Sequence, residues 1–179
     1  ILILLMVGAL AGTWMVSGII PSMIYYGLQI LSPAIFLPAT LIICSVISIA
    51  TGSSWTTSAT VGIALIGIGG ALGFDLGMVA GAVISGAYFG DKLSPMSDTT
   101  NLAPAMAGTD LFTHIKYMTL TTIPTYIITL ILFIILGLSI EVKGDVNTNE
   151  LLTAITTSFN VSGWLFLVPV IVIGLIVKK

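Results

Sequence analysis

The chain has 179 residues, 57% of them hydrophobic and only 7% charged, with a mean hydropathy of +1.19. Soluble domains carry charge on about a quarter of their residues, so this composition excludes one and points to an integral membrane protein. The net charge of −2, from five Lys, no Arg and seven acidic groups, also excludes a basic surface that would track nucleic acid.

Apolar segments of 14 residues or more, without the ten-residue alternation of a membrane barrel, predict an all-α polytopic transmembrane bundle forming one region over 1–179. The opening "ILILLMVGAL" has no Met, basic region or cleavage site, and reads as the inside of a longer chain. Residues 1–31 are apolar but interrupted by "GTW" and Pro21, which predicts two helical pieces. Residues 34–50 are apolar and hold the lone Cys44, which has no intrachain disulfide partner and reads as a small core residue. "TGSSWTTSAT" then supplies seven hydroxyl side chains before "VGIALIGIGGAL", the pattern of a span interrupted by polar backbone.

The pattern recurs. Leu76 to Phe89 is about 14 residues, short for a crossing, and runs into "GDKLSPMSDTTN". Irregular backbone at membrane depth survives only where protein or a water-filled cavity satisfies its N–H and C=O groups, so two interruptions predict an internal transport site. Met118 to Ile140 is a full span despite Pro124. "EVKGDVNTNE" (141–150) reads as a loop, "LLTAITTSF" as a short interfacial helix and "GWLFLVPVIVIGLIV" as the last span. Lys178 and Lys179 suggest a cytoplasmic end, which puts "DLFTHIK" (110–116) on the same side.

Asp91, Lys92 and Asp98 cannot face lipid, because each charge at the bilayer centre costs about 2.5–3.5 kcal/mol on an insertion scale. On one continuous helix the two carboxylates would lie about 10 Å apart, too far for one small cation. Pro95 and the polar run make a continuous helix unfavourable there and give Asp98 a candidate shell in Ser97, Thr99, Thr100 and Asn101. A cage of hard oxygens suits Na⁺. A carboxylate held from water without its cation favours the protonated form, whereas bound Na⁺ favours the ionised one, so the two ions compete for one group. Asp98 takes that role, and the Na⁺, in this reading, with Asp91 in reserve. Lys92 either pairs with a carboxylate or meets an anionic substrate, and Ser53, Ser54 and Thr56 supply a second polar crossing. Asp75 reads as a turn residue, and Thr109 or Asp110 as a helix cap.

"GDKLSPMSDTTNLAPAMAGTDLFTHIK" closely resembles the signature region of NhaC-type Na⁺/H⁺ antiporters, and "GTWMVSGIIPSMIYYGL" and "TGSSWTTSATVG" are similar to that family's preceding blocks. The resemblance implies an ion transporter of the cell membrane built from inverted repeats with broken helices and re-entrant hairpins. The chain would then be the core of the first half. It implies no cofactor, only Na⁺ and H⁺ as transported ions, and the family's malate/lactate-type members keep a small carboxylate substrate open. Oligomeric state, a homodimer included, is left open too. An enzyme is not indicated: "YFGD" lacks the Gly-X-Gly-Asp form of aspartyl intramembrane proteases, and no Gly-X-Ser-Gly motif occurs.

Overall fold

A computed structural model describes residues 2–139 and 148–177. Every described element is helical, and the order is α1 Leu2–Val16, α2 Ile19–Ile30, α3 Pro33–Thr51, α4 Ser54–Thr57, a π-helical turn Ser58–Gly62, α5 Ile63–Ala71, α6 Leu76–Leu93, α7 Asp98–Ala107, α8 Leu111–Ser139, α9 Thr148–Ser158, a 3₁₀ turn Gly163–Phe166 and α10 Leu167–Val177. The protein is an all-α transmembrane bundle. Among the described residues, α3 and α8 are each long and apolar enough to cross a membrane.

The first 31 residues do form two pieces, but the chain turns at Ser17–Gly18 rather than at "GTW", bending by 70°. Gly18 takes a left-handed φ of 84° there. Pro21 then falls in the first turn of α2, where its missing N–H costs nothing. Pro104 and Pro124 lie inside α7 and α8. Helix α8 starts at Leu111, seven residues before the expected span, because Asp110 accepts a hydrogen bond from the Thr113 N–H at 3.0 Å and caps it. Ile140 lies outside the described residues, as do most of the 141–150 loop and Lys178 and Lys179. The expected last span is a 3₁₀ turn followed by α10, and Leu152–Ser158 with Gly163–Val172 forms a pair bent by 82° that is together long and apolar enough for a broken span.

Helices α3 and α6 form the densest packing in the molecule and run parallel: Phe36 stacks on Phe74, Ser48 Oγ donates to the Ala87 carbonyl at 2.5 Å, and Ser94 Oγ to the Ile49 carbonyl at 2.7 Å. A Cβ at Gly90 would lie 2.5 Å from the Ser45 carbonyl oxygen, so only glycine allows the two backbones to come so close. The segment from α4 to α5 returns antiparallel to α6, with Gly62 against Val83 and Gly70 against Leu76. Helix α3 and this return strand of helix are therefore the two arms of a hairpin whose tip is Thr51–Ser54. Helix α8 is antiparallel to both α3 and α6: Phe89 stacks on Tyr126, and Ser45 Oγ donates to the Tyr126 hydroxyl at 3.0 Å. A core of Phe36, Leu37, Leu65, Ile68, Val79 and Val83 fixes this arrangement.

Candidate functional site

Two chain breaks meet at one level of the bundle. The hairpin reverses at Gly52, which has φ 67° and sits where a Cβ would come within 2.6 Å of the Met96 carbonyl carbon. Met96 belongs to the other break, Ser94–Ser97, between α6 and α7. From the Phe89–Tyr126 stack, roughly 15 Å of α8 extends past this level at about 1.5 Å per residue. Both breaks are thus well inside the height of α8.

Helix α6 continues through Leu93, so Asp91 and Lys92 occupy its last turn rather than an irregular loop. Asp91 is half-buried and joins the two breaks. It accepts a hydrogen bond from Ser54 Oγ at 2.9 Å through one oxygen and from Ser97 Oγ at 2.6 Å through the other. Behind Ser97 stands the Thr99 hydroxyl at 3.0 Å.

Hydroxyls also close the open helix ends. Ser94 caps the Ile49 carbonyl near the end of α3, and Thr100 Oγ1 lies 3.1 Å from the carbonyls of both Asp91 and Lys92 at the end of α6. The tip is hydroxyl-lined as well. Ser53 Oγ accepts from the Thr56 N–H at 3.2 Å and from Thr56 Oγ1 at 3.1 Å, while the buried Thr57 donates to the Ser53 carbonyl at 2.9 Å and lies 3.4 Å from Thr51 Oγ1. Two helix C-termini, α3 and α6, bring partial negative charge to this point, and the N-termini of α4 and α7 bring partial positive charge. One carboxylate among hydroxyl and carbonyl oxygens can hold a small hard cation, or a proton in its place.

The residues singled out from sequence separate here into two groups. Asp91, Ser54 and Ser97 are directly linked, with Ser53, Thr56, Thr99 and Thr100 adjoining. Asp98 opens α7, exposed, and among the described residues none of its expected shell donates to it: Asn101 Nδ2 donates to the carbonyls of Pro95 at 2.7 Å and Ser97 at 2.8 Å. Lys92 makes no ion pair among the described residues. Its ammonium sits 4.9 Å from the centre of the Tyr88 ring and lines a cavity between α6 and α8. Asp75, read as a turn residue, caps α6 through the Met78 N–H at 3.1 Å. Sequence reasoning passed over Ser94, Thr51 and Thr57; the last two lay in the hydroxyl block, but nothing in spacing marked which hydroxyls faced inward.

The Na⁺/H⁺ antiporter family model matches residues 86–179. Over its whole length the chain is 49% identical to the malate-2H⁺/Na⁺-lactate antiporter of Bacillus subtilis and 46% identical to the Na⁺/H⁺ antiporter NhaC of Alkalihalophilus pseudofirmus, covering 39% of each relative. It is also 44% identical over 144 residues to the arginine/ornithine antiporter ArcD of Halobacterium salinarum, a match of 80% of this chain and 30% of that one. The chain therefore spans about two-fifths of the length of the curated relatives it matches. No solved structure matches it.

Proposed function

The chain belongs to the Na⁺/H⁺ antiporter family, and from that premise we propose that the full-length protein is a secondary transporter exchanging Na⁺ for H⁺, with Asp91 as the carboxylate the two ions share. The observation that carries this reading is the junction itself: Ser54 on the hairpin tip and Ser97 at the second break each donate to a different oxygen of Asp91. Na⁺ entering there replaces those donors with lone pairs of the same hydroxyls, rotated toward the ion, and nearby carbonyls complete its shell. A proton on Asp91 removes the charge that held the ion. One group then accepts either ion but not both, which is the coupling that exchange requires.

Asp98 serves in this proposal as an exposed carboxylate beside the junction, raising the local Na⁺ concentration. The test is proton flux triggered by Na⁺ in liposomes holding the full-length protein and a pH-sensitive dye. Asp91→Asn should abolish the flux, while Asp98→Asn should leave it measurable with a weaker Na⁺ dependence. Flux surviving in Asp91→Asn and lost in Asp98→Asn would move the shared proton to Asp98.

A second reading, a Na⁺- and H⁺-coupled organic acid antiporter, is favoured by one observation: Lys92 lines a cavity and, among the described residues, pairs with no carboxylate. The B. subtilis relative at 49% identity carries such a name. Proton flux that requires malate or lactate as well as Na⁺ separates this reading from simple exchange.

A further inference from the structure

Asp91 and Lys92 are adjacent on the last turn of α6, so their side chains leave the helix about 100° apart. The carboxylate meets the hairpin tip, and Lys92, its ammonium 4.9 Å from the centre of the Tyr88 ring, lines the space between α6 and α8. That space is a cavity of about 560 Å³, within the roughly 300–1,000 Å³ of small-ligand sites. Rings of Tyr88, Phe89 and Tyr126 line it, and so do Thr121, Thr125 and Thr129, which recur one turn apart along α8.

The threonines have a definite polarity. Thr121 Oγ1 donates to the Met118 carbonyl at 3.1 Å, Thr125 Oγ1 to the Thr121 carbonyl at 2.8 Å, and Thr129 Oγ1 to the Thr125 carbonyl at 2.9 Å. Those three hydrogens are committed to the helix, so these three positions offer the cavity lone pairs. A ligand that satisfies Lys92 and these three threonines together needs negative charge for the one and a donor of its own for the others. Lys92 has no counter-charge among the described residues, and an unpaired charge inside a membrane protein is costly, which gives a bound anion more to gain than hydrogen bonds alone.

We propose that the α6–α8 cavity binds a small carboxylate bearing a hydroxyl or ammonium group near its carboxyl, with the carboxylate on Lys92 and the donor on Thr121, Thr125 or Thr129. This inference rests on the transporter reading above and specifies the substrate of its second form. It places the organic anion one residue along α6 from the cation, so the two share a helix turn without sharing a ligand.

The test is equilibrium binding of radiolabelled L-lactate to the purified full-length protein, without any ion gradient, in competition with malate, alanine and propionate. Lactate should bind, and propionate, which lacks the donor, should compete less well than lactate, malate or alanine. Lys92→Gln should weaken binding by about ten- to a hundredfold, the range for a hydrogen bond to a charged group, while Lys92→Arg should stay within a few-fold of wild type. Thr125→Val should cut the preference for lactate over propionate by about two- to tenfold. Absence of binding by all four acids, equal competition by propionate, or wild-type affinity in Lys92→Gln would overturn the proposal. Should Lys92→Gln fail to fold, as judged by gel filtration, an unchanged preference in Thr125→Val would overturn it instead. Because the readout is binding, a protein that shows Na⁺-driven proton flux but binds no acid refutes this inference and leaves the exchanger standing; acid binding without flux does the reverse.

Discussion

Replacing Gly52 by Ala perturbs the junction at a single atom. The added Cβ would sit 2.6 Å from the Met96 carbonyl carbon and 2.8 Å from its oxygen, where ordinary contact begins at 3.4 Å. Backbone cannot rotate away as a side chain does, so the tip and the break must separate by about 0.8 Å. A shift of that size stretches the 2.9 Å bond from Ser54 to Asp91 beyond the limit of a hydrogen bond. Ala also strains the left-handed backbone at φ 67°, at about 1–2 kcal/mol. Gly108 has the same φ of 67° with nothing within 4 Å of its would-be Cβ, which makes Gly108→Ala the control that carries the strain alone. Gly108→Ala should lower unfolding free energy by about 1–2 kcal/mol and leave Na⁺ dependence alone. Gly52→Ala should lose about 1–3 kcal/mol more through overpacking and raise the Na⁺ concentration at half-maximal proton flux by about tenfold or more. Denaturant unfolding in detergent and dye-based flux on the full-length protein measure the two quantities. Equal losses of stability and an unchanged Na⁺ dependence in both variants would refute the idea that contact between tip and break holds the site.

Gly90→Ala should destabilise the protein by about 1–3 kcal/mol, because its Cβ would meet the Ser45 carbonyl oxygen and Ser48 Cβ, each at 2.5 Å; a stability within 0.5 kcal/mol of wild type (roughly measurement error) would contradict the close approach. Ser94→Ala removes the 2.7 Å bond to the Ile49 carbonyl and should cost about 1 kcal/mol in the same unfolding assay; unchanged stability would contradict the bond's part in holding α3 to the break. Asp75→Ala removes the cap of α6 and should cost about 0.5–2 kcal/mol without changing the Na⁺ dependence of flux; a change there would give Asp75 a part in transport.

Composition and hydropathy were enough for an all-helical membrane protein with two broken segments, because a bilayer demands satisfied backbone and tolerates few charges. The polar strings "TGSSWTTSAT" and "GDKLSPMSDTTN" marked both breaks. What they did not mark was direction. Reversal at Gly52 depends on a left-handed φ that the string "TGSS" permits without requiring. The link between Asp91 and the hairpin was hidden for a related reason: its partner Ser54 is 37 positions away and reaches it only through the α3–α6 packing. Local spacing favoured Asp98 because its neighbours are rich in hydroxyls, yet two of those, Ser97 and Thr100, turn back to α6. The α8 threonines, four residues apart, had a visible helical spacing, but only packing against α6 makes that face a wall.

The glycine contact between α3 and α6 has a consequence for motion. Where side chains interdigitate, helices can slide by changing rotamers; where one backbone rests on another, as at Gly90 on Ser45, there is no rotamer to change. Shear between these two helices is blocked, so the hairpin tip and the last turn of α6 travel as one rigid body. If the proposed ion sits at their junction, its coordination would be kept during any larger movement, and access to it would change as other surfaces slide past the pair.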